Sequence, residues 1–272
     1  TGTTKFMKKV VISMLTALIL GGAVVAFVLY QRIYAPSVLN YDNELLLFIP
    51  TNSRYVDVLQ ILEENEIVKN VDAFDWVAQR KNYPNKINPG RYRLSSGMNN
   101  NDLVDLLRSG NQEPVTLTFN NVRFVEEIAG KASLVIEPDS SELADFLNDQ
   151  TLIEHYGFSK PTFSSMFIPN TYEFYWNTSK EEFMNRMANE YKNFWNDERK
   201  RKAIQLGLSQ SQISILASIV ESETKKNDEK PVVAGVYLNR LRKNMLLQAD
   251  PTLVFATQDW NARRVLNIHK EI

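Results

Sequence analysis

The sequence predicts a mixed α+β protein led by one membrane-crossing helix, and three observations carry that prediction. Val10 to Tyr30 holds no charged residue, and an apolar run of about 20 residues is long enough to cross a bilayer as a helix. From Leu45 to Phe119, short strand-like runs take turns with patterns of helical period. Between Ile213 and Thr252, two helical patterns joined by the polar run KKNDEK read as a buried helical hairpin.

Composition bounds the possibilities. The chain has 272 residues, 44% hydrophobic and 23% charged, which is ordinary for a globular protein with room for two domains or one large one. The net charge of −1 offers no global field for nucleic acid, and no basic tract lies downstream. The absence of cysteine excludes disulfides, thiolate metal sites and a thiol nucleophile. His155 and His269 stand far apart without ligand-like neighbours, so neither a metal, a cofactor nor a Ser–His triad is expected.

Lys5, Lys8 and Lys9 precede the apolar run, which by the positive-inside rule leaves residues 1–9 as a cytoplasmic tail. A transmembrane helix over 10–30 and a linker over 31–44 follow. The rival reading is a cleaved signal peptide, whose apolar region would be shorter and would end in a small-x-small site. Either way the rest of the chain lies outside the cytoplasmic membrane.

Leu45–Pro50 reads as a strand. Ser53 is placed as the cap of a helix with Val56, Leu59, Leu62 and Ile67 inward, and a second helix follows Asp72 with Phe74, Val77 and Ala78 inward. Asn88-Pro89-Gly90 is a turn signal leading into the strand Arg91–Leu94. A helix over Asn99–Ser109 carries Leu103, Leu106 and Leu107 and ends at Gly110. Val115–Phe119 alternates as a strand before a helix over Arg123–Ala132. This pair echoes the strand, turn and helix at Phe48–Leu62, a weak internal repeat. Another helix runs from Ser140 or Ser141 to Asn148.

Phe158 to Asn177 reads as a loop-rich segment dense in aromatics, among them Phe163, Phe167, Tyr172 and Trp176. Such rings suit either the apolar faces of sugars or simple packing, and spacing favours packing. Glu181–Lys202 reads as one amphipathic helix. Leu206-Gly207-Leu208-Ser209 closes it and starts the next, with Ser209 or Ser211 as cap.

That next helix is apolar almost all round, from Ile213 to Val220, and ends in Glu221 and Glu223. Acids are rarely buried unless paired or used, so Glu221 is a candidate for a raised pKa and acid–base work. The plainer readings are a solvated Glu223 and a Glu221 paired with Arg240 or Arg242. Pro231 to Arg242 forms the second helix, expected to pack through Val232, Val233, Val236 and Leu241. Asp250-Pro251 marks a helix start, with Asp250 more a cap than a catalyst.

ILASIVESET followed by VAGVYLNRLRKNMLLQADPT resembles the signature of the endolytic murein transglycosylases, the YceG-like (MltG) family. The order of segments fits along nearly the whole chain, with FIPNTYEF where the family has a Pro-x-Thr-Tyr motif. The resemblance implies a LysM-like subdomain over 45–112 and a catalytic domain over 113–272. It places the catalytic acid at Glu221, the first acid of the E-x-E-T motif, with Asn239, Gln248, Asp250, Glu223 and Tyr172 binding substrate. It implies non-hydrolytic cleavage of the β-1,4 bond between N-acetylmuramic acid and N-acetylglucosamine by a single carboxyl group. Peptidoglycan strands are the implied substrate, the cytoplasmic membrane the implied location and peptidoglycan synthases possible partners. Family members continue beyond the Asp-Pro-Thr motif, so a C-terminally truncated chain with an incomplete cleft is expected. The rival classes are a non-catalytic anchored peptidoglycan-binding scaffold and an unrelated helical interaction domain with Glu221 exposed to solvent.

Overall fold

The computed structural model describes residues 2–39, 45–120 and 122–257. The expectations for 40–44 of the linker and for 258–272, His269 included, lie outside these residues. Helix α1 (Gly2–Tyr34) contains Ile12–Tyr34, whose length and mean hydropathy of 2.5 make it long and apolar enough to cross a membrane. The helix runs past Tyr30 into the predicted linker because no breaker precedes Pro36, which disfavours helical backbone at Ala35. The linker then folds onto the body: Pro36 bridges Asn99, Val38 bridges Val68, and Val38 is fully buried.

The described chain divides into two compact units that are discontinuous in sequence. The first takes the residues up to Leu117 together with Ala132–Asp139 and Thr171–Ser179, and the second takes the rest.

In the first unit, β1 (Leu45–Ile49) and β2 (Gly90–Leu94) pair antiparallel, with Leu47 opposite Tyr92. The intervening helices α2 (Tyr55–Glu64) and α3 (Val71–Arg80), followed by α4 (Asn100–Ser109), close a core around Leu62, Phe74, Tyr83, Tyr92, Leu103 and Leu107. Each fully buried aliphatic or phenyl side chain there contributes about 1.5–3 kcal/mol. The predicted strand–helix–helix–strand order with a further helix is therefore present. Gly90 opens β2 at φ +148°, a backbone conformation that side-chain-bearing residues rarely adopt.

Two local expectations are corrected. Ser53 does not cap α2; its hydroxyl donates to the Pro50 carbonyl, while Asp57 Oδ2 accepts from the Arg54 N–H at 2.7 Å. Starting the helix at Tyr55 turns Val56 outward, 55% exposed, and Val58 inward. Helix α3 begins before Asp72, because the Asn70 side chain accepts from Ala73 N–H at 2.7 Å and fixes the start.

A second sheet joins β3 (Val115–Phe119) to β4 (Asn170–Phe174). The strand β4 lies inside the segment expected to be loop. Its alternation buries Tyr172 and Phe174 and exposes Thr171 and Glu173.

The second unit contains α5 (Val125–Ser133) for most of its length, α6 (Ser140–Leu147), α7 (Gln150–His155), a 3-10 turn over Lys160–Met166, α8 (Lys180–Phe194) and α9 (Asp197–Leu206). Its aromatic core joins Phe119, Phe163, Phe167 and Phe183 at centroid distances of 5.5–6.4 Å. The predicted single helix over 181–202 is two helices. Asn196 Oδ1 accepts from Arg199 N–H at 3.0 Å to start α9, and Arg199 Nη1 donates to the Phe194 carbonyl at 2.6 Å to finish α8. Helices α10 (Gln210–Glu223), α11 (Lys230–Arg242) and α12 (Asp250–Thr257) complete the described chain.

Candidate active site

The ends of α10 and α11 are set by local chemistry. Gly207 closes α9 in the left-handed region (φ +70°). Ser209 and Gln212 then form a reciprocal box: Gln212 N–H donates to Ser209 Oγ at 3.1 Å and Ser209 N–H to Gln212 Oε1 at 2.8 Å. Helix α10 stops where Thr224 turns extended. Across the following loop, the Thr224 hydroxyl donates to Glu229 Oε2 at 2.7 Å and Lys226 Nζ lies 2.9 Å from Glu229 Oε1. Pro231 sits in the first turn of α11, where its missing N–H has no helical partner to lose.

The hairpin is present, but it is not buried all round. Helix α10 buries Leu216 and Val220, while Ile215 is 41% exposed and Ala217 is also exposed. On α11 the packing residues are Tyr237, Val233, Ala234 and Leu238, with Ala249 completing the cluster. Val232, Val236 and Leu241, expected inside, are exposed. One stripe at i, i+4 spacing suffices where a helix meets its neighbours along a line, so an apolar sequence on every face is only partly covered.

Glu221 therefore stands in a different environment from the one its sequence suggested. Its side chain is half exposed, and Oε2 lies 2.5 Å from Lys230 Nζ. The hydrogen bond from Lys230, aided by the charges of Lys230 and Lys225, holds the Glu221 carboxyl below the usual carboxylate range. This corrects the expectation of a raised value, which assumed apolar surroundings. It also replaces Arg240 and Arg242 as the predicted ion-pair partners.

Burial, followed by the nearby Glu223 carboxylate, pushes the Tyr237 phenol upward. Arg240 and Asp250 act on the same phenol through space. Arg240 Nη1 donates to the Leu247 carbonyl at 2.6 Å and to Gln248 Oε1 at 3.1 Å, tying the segment before α12 to α11. Gln248 takes a left-handed backbone (φ +51°). Asp250 is the exposed first residue of α12 rather than the residue before it. Asn239 is exposed, with Arg242 Nη1 at 3.4 Å from its Oδ1. Thus Glu223, Gln248 and Asp250 are linked through Tyr237 and Arg240, and Asn239 lies on the same helix. Tyr172 is 3% exposed on β4 of the other unit and has little surface to offer a ligand.

Lys230 and Tyr237 were missed from sequence. Tyr237 had a weak signal, four residues after Val233 on one face. Lys230 had none, because its pairing depends on how the loop returns. Among the described residues, no three histidine or acidic side chains are grouped to hold a metal.

Fold and site together define a helix-rich α+β protein whose helical hairpin carries a solvent-accessible acid. The model of the YceG-like family matches residues 47–271, and the chain belongs to that family. It is 24% identical over 258 residues to the endolytic murein transglycosylase of Bacillus subtilis strain 168, covering 88% of this chain and 69% of that protein. It is 26% identical over 241 residues to the endolytic murein transglycosylase of Streptococcus pneumoniae strain R6, covering 76% and 42%. The chain thus spans under half the length of the pneumococcal relative. A crystal structure of a protein described as YceG-like from Listeria monocytogenes superposes with a TM-score of 0.52 at 21% identity, covering 85% of this chain and 81% of that one. That likeness concerns the fold.

Proposed function

We propose that the chain is a membrane-anchored endolytic lytic transglycosylase of peptidoglycan, held by α1 with its two units on the outer side of the cytoplasmic membrane. The observation that carries this reading is the family match, which runs without a break through the ESET and QADPT motifs of the hairpin. The names of the relatives support the same substrate.

In this reading Glu221 donates a proton to the glycosidic oxygen between N-acetylmuramic acid and N-acetylglucosamine. As carboxylate it then takes the proton of the muramic C6 hydroxyl, whose oxygen closes a 1,6-anhydro ring. Intramolecular attack gains from proximity and needs no second carboxyl group, unlike hydrolysis. Asn239, Gln248, Asp250 and Glu223 line the strand's path. The subdomain over 45–112 acts as a LysM-like glycan-binding unit, and the anchor keeps the enzyme on nascent strands near the synthases.

The exposure of Glu221 favours a second reading, an anchored scaffold that binds glycan without cutting it. One experiment separates the two. Purified glycan strands incubated with the full chain in detergent should yield 1,6-anhydro ends by mass spectrometry, and Glu221→Gln should reduce them at least 100-fold. Equal product from Glu221→Gln would refute the catalytic assignment, and glycan retention without any anhydro product would favour the scaffold.

A further inference from the structure

Lys230 opens α11 and reaches back over the loop, placing its ammonium 2.5 Å from Glu221 Oε2 and 2.9 Å from Asn227 Oδ1. Its side chain is one-quarter exposed, so the ammonium is partly withdrawn from water, where charge-assisted bonds are strongest. Of the other loop charges, Lys226 pairs with Glu229, which also accepts from Thr224. Lys225 acts on Glu221 through space only. Farther along α11, Glu223, Arg240 and Asp250 act on Tyr237. Of the groups around Glu221, Lys230 is the one in direct contact with its carboxylate and also supplied with a second acceptor in place.

We propose that Lys230 is a positioning residue that gates Glu221, locking it as a carboxylate in the free chain and releasing it when bound glycan offers the ammonium another acceptor oxygen. The inference rests on Glu221 being the acid. A carboxyl group donates a proton only in its neutral form, and a carboxylate bonded to an ammonium is held ionised. With the ammonium turned to Asn227 and to a glycan amide or hydroxyl oxygen, Glu221 takes a proton from water. It passes that proton to the glycosidic oxygen as the C1–O bond breaks, and takes the C6 hydroxyl proton as the O6–C1 bond forms. The returning ammonium expels this proton to water and resets the gate. No proton is gained or lost over the cycle, and water cannot draw on a permanently charged acid between substrates.

The test uses the full chain in detergent micelles with Lys230→Met, which keeps the stem, and Lys230→Arg, which keeps the charge. Carboxyl 13C NMR, with the Glu221 signal assigned by its loss in Glu221→Gln, reads the protonation midpoint. The pH profile of kcat/KM for glycan cleavage reads the same group in the free enzyme. Lys230→Met should move the midpoint and the descending limb of the profile upward together, and Lys230→Arg should return both towards wild type. A Lys230→Met midpoint that coincides with wild type overturns the gate. A shifted midpoint in a chain that makes no anhydro ends sinks the transglycosylase reading and leaves the ion pair standing. Anhydro ends with an unshifted midpoint do the reverse.

Discussion

Tyr237 should hold the hairpin together through its ring far more than through its hydroxyl. It is 6% exposed and packs in a cluster whose other buried members are Leu216, Val220 and Ala249. Tyr237→Phe removes only the hydroxyl, whose neighbouring carboxylate Glu223 is exposed to water, so the loss is at most about 1 kcal/mol. Tyr237→Ala removes the ring as well. Ring-to-alanine changes in cores cost about 3–5 kcal/mol, and the exposed flanks at Ile215 and Val236 let this site collapse, which selects the low end, about 3 kcal/mol. Hydrogen exchange of α10 and α11 in the micelle-bound chain reads these values as local opening. At 1.4 kcal/mol per tenfold, protection should fall about 5-fold for the first variant and about 100-fold for the second. Because Glu221 rides on the last turn of α10, Tyr237→Ala should also lose glycan cleavage while Tyr237→Phe keeps most of it. Equal loss of protection in both variants would mean that the hydroxyl, not the ring, carries the packing. No loss in either would mean that the hairpin is held elsewhere.

Ser209→Ala breaks the reciprocal box at the start of α10 and should lower stability by about 1 kcal/mol, seen as faster exchange in the first turn of α10 and little change in α11. Glu113 accepts two bonds from Arg93 Nε at 2.8 and 2.9 Å and one from Arg91 at 3.2 Å, which hold its carboxyl below its ordinary value of 4.5. A lowered carboxyl stabilises the fold above its unfolded value, and that contribution disappears as pH falls through the folded one. Thermal stability should therefore fall on acidification below about pH 4.5, and Glu113→Gln should flatten that part of the profile.

What was legible in the sequence is what neighbouring residues decide among themselves. The Ser209 cap and the helix ends at Gly110 and Gly207 need only a few adjacent residues, and each lies where the pattern put it. The break between α8 and α9 was also written locally, as Asn196-Asp197, but the amphipathic stripe through Tyr191 and Trp195 concealed it. Strand β4 was hidden differently. Its alternation is plain in Thr171–Phe174 once seen, yet the aromatic density around it reads as a loop, and only pairing with β3, far earlier in the chain, selects the strand.

The acid illustrates the remaining limit. The run from Ile213 to Val220 correctly announced a helix and a cluster, but hydrophobicity on every face states what a helix can bury, not what surrounds it. Of that run, the described neighbours cover a stripe through Leu216 and Val220. The turn carrying Glu221 faces the loop instead. There the deciding contact comes from Lys230, nine residues later in sequence but 2.5 Å away in space. A motif therefore identified which carboxylate to suspect, while its resting charge was set by a return of the chain that no local pattern encodes. For a reaction that needs one carboxyl group first as acid and then as base, this distinction bears on the chemistry. Apolar surroundings would favour the first half-step and an ammonium favours the second; in the proposed gate Lys230, with Asn227 as its second partner, serves both in turn.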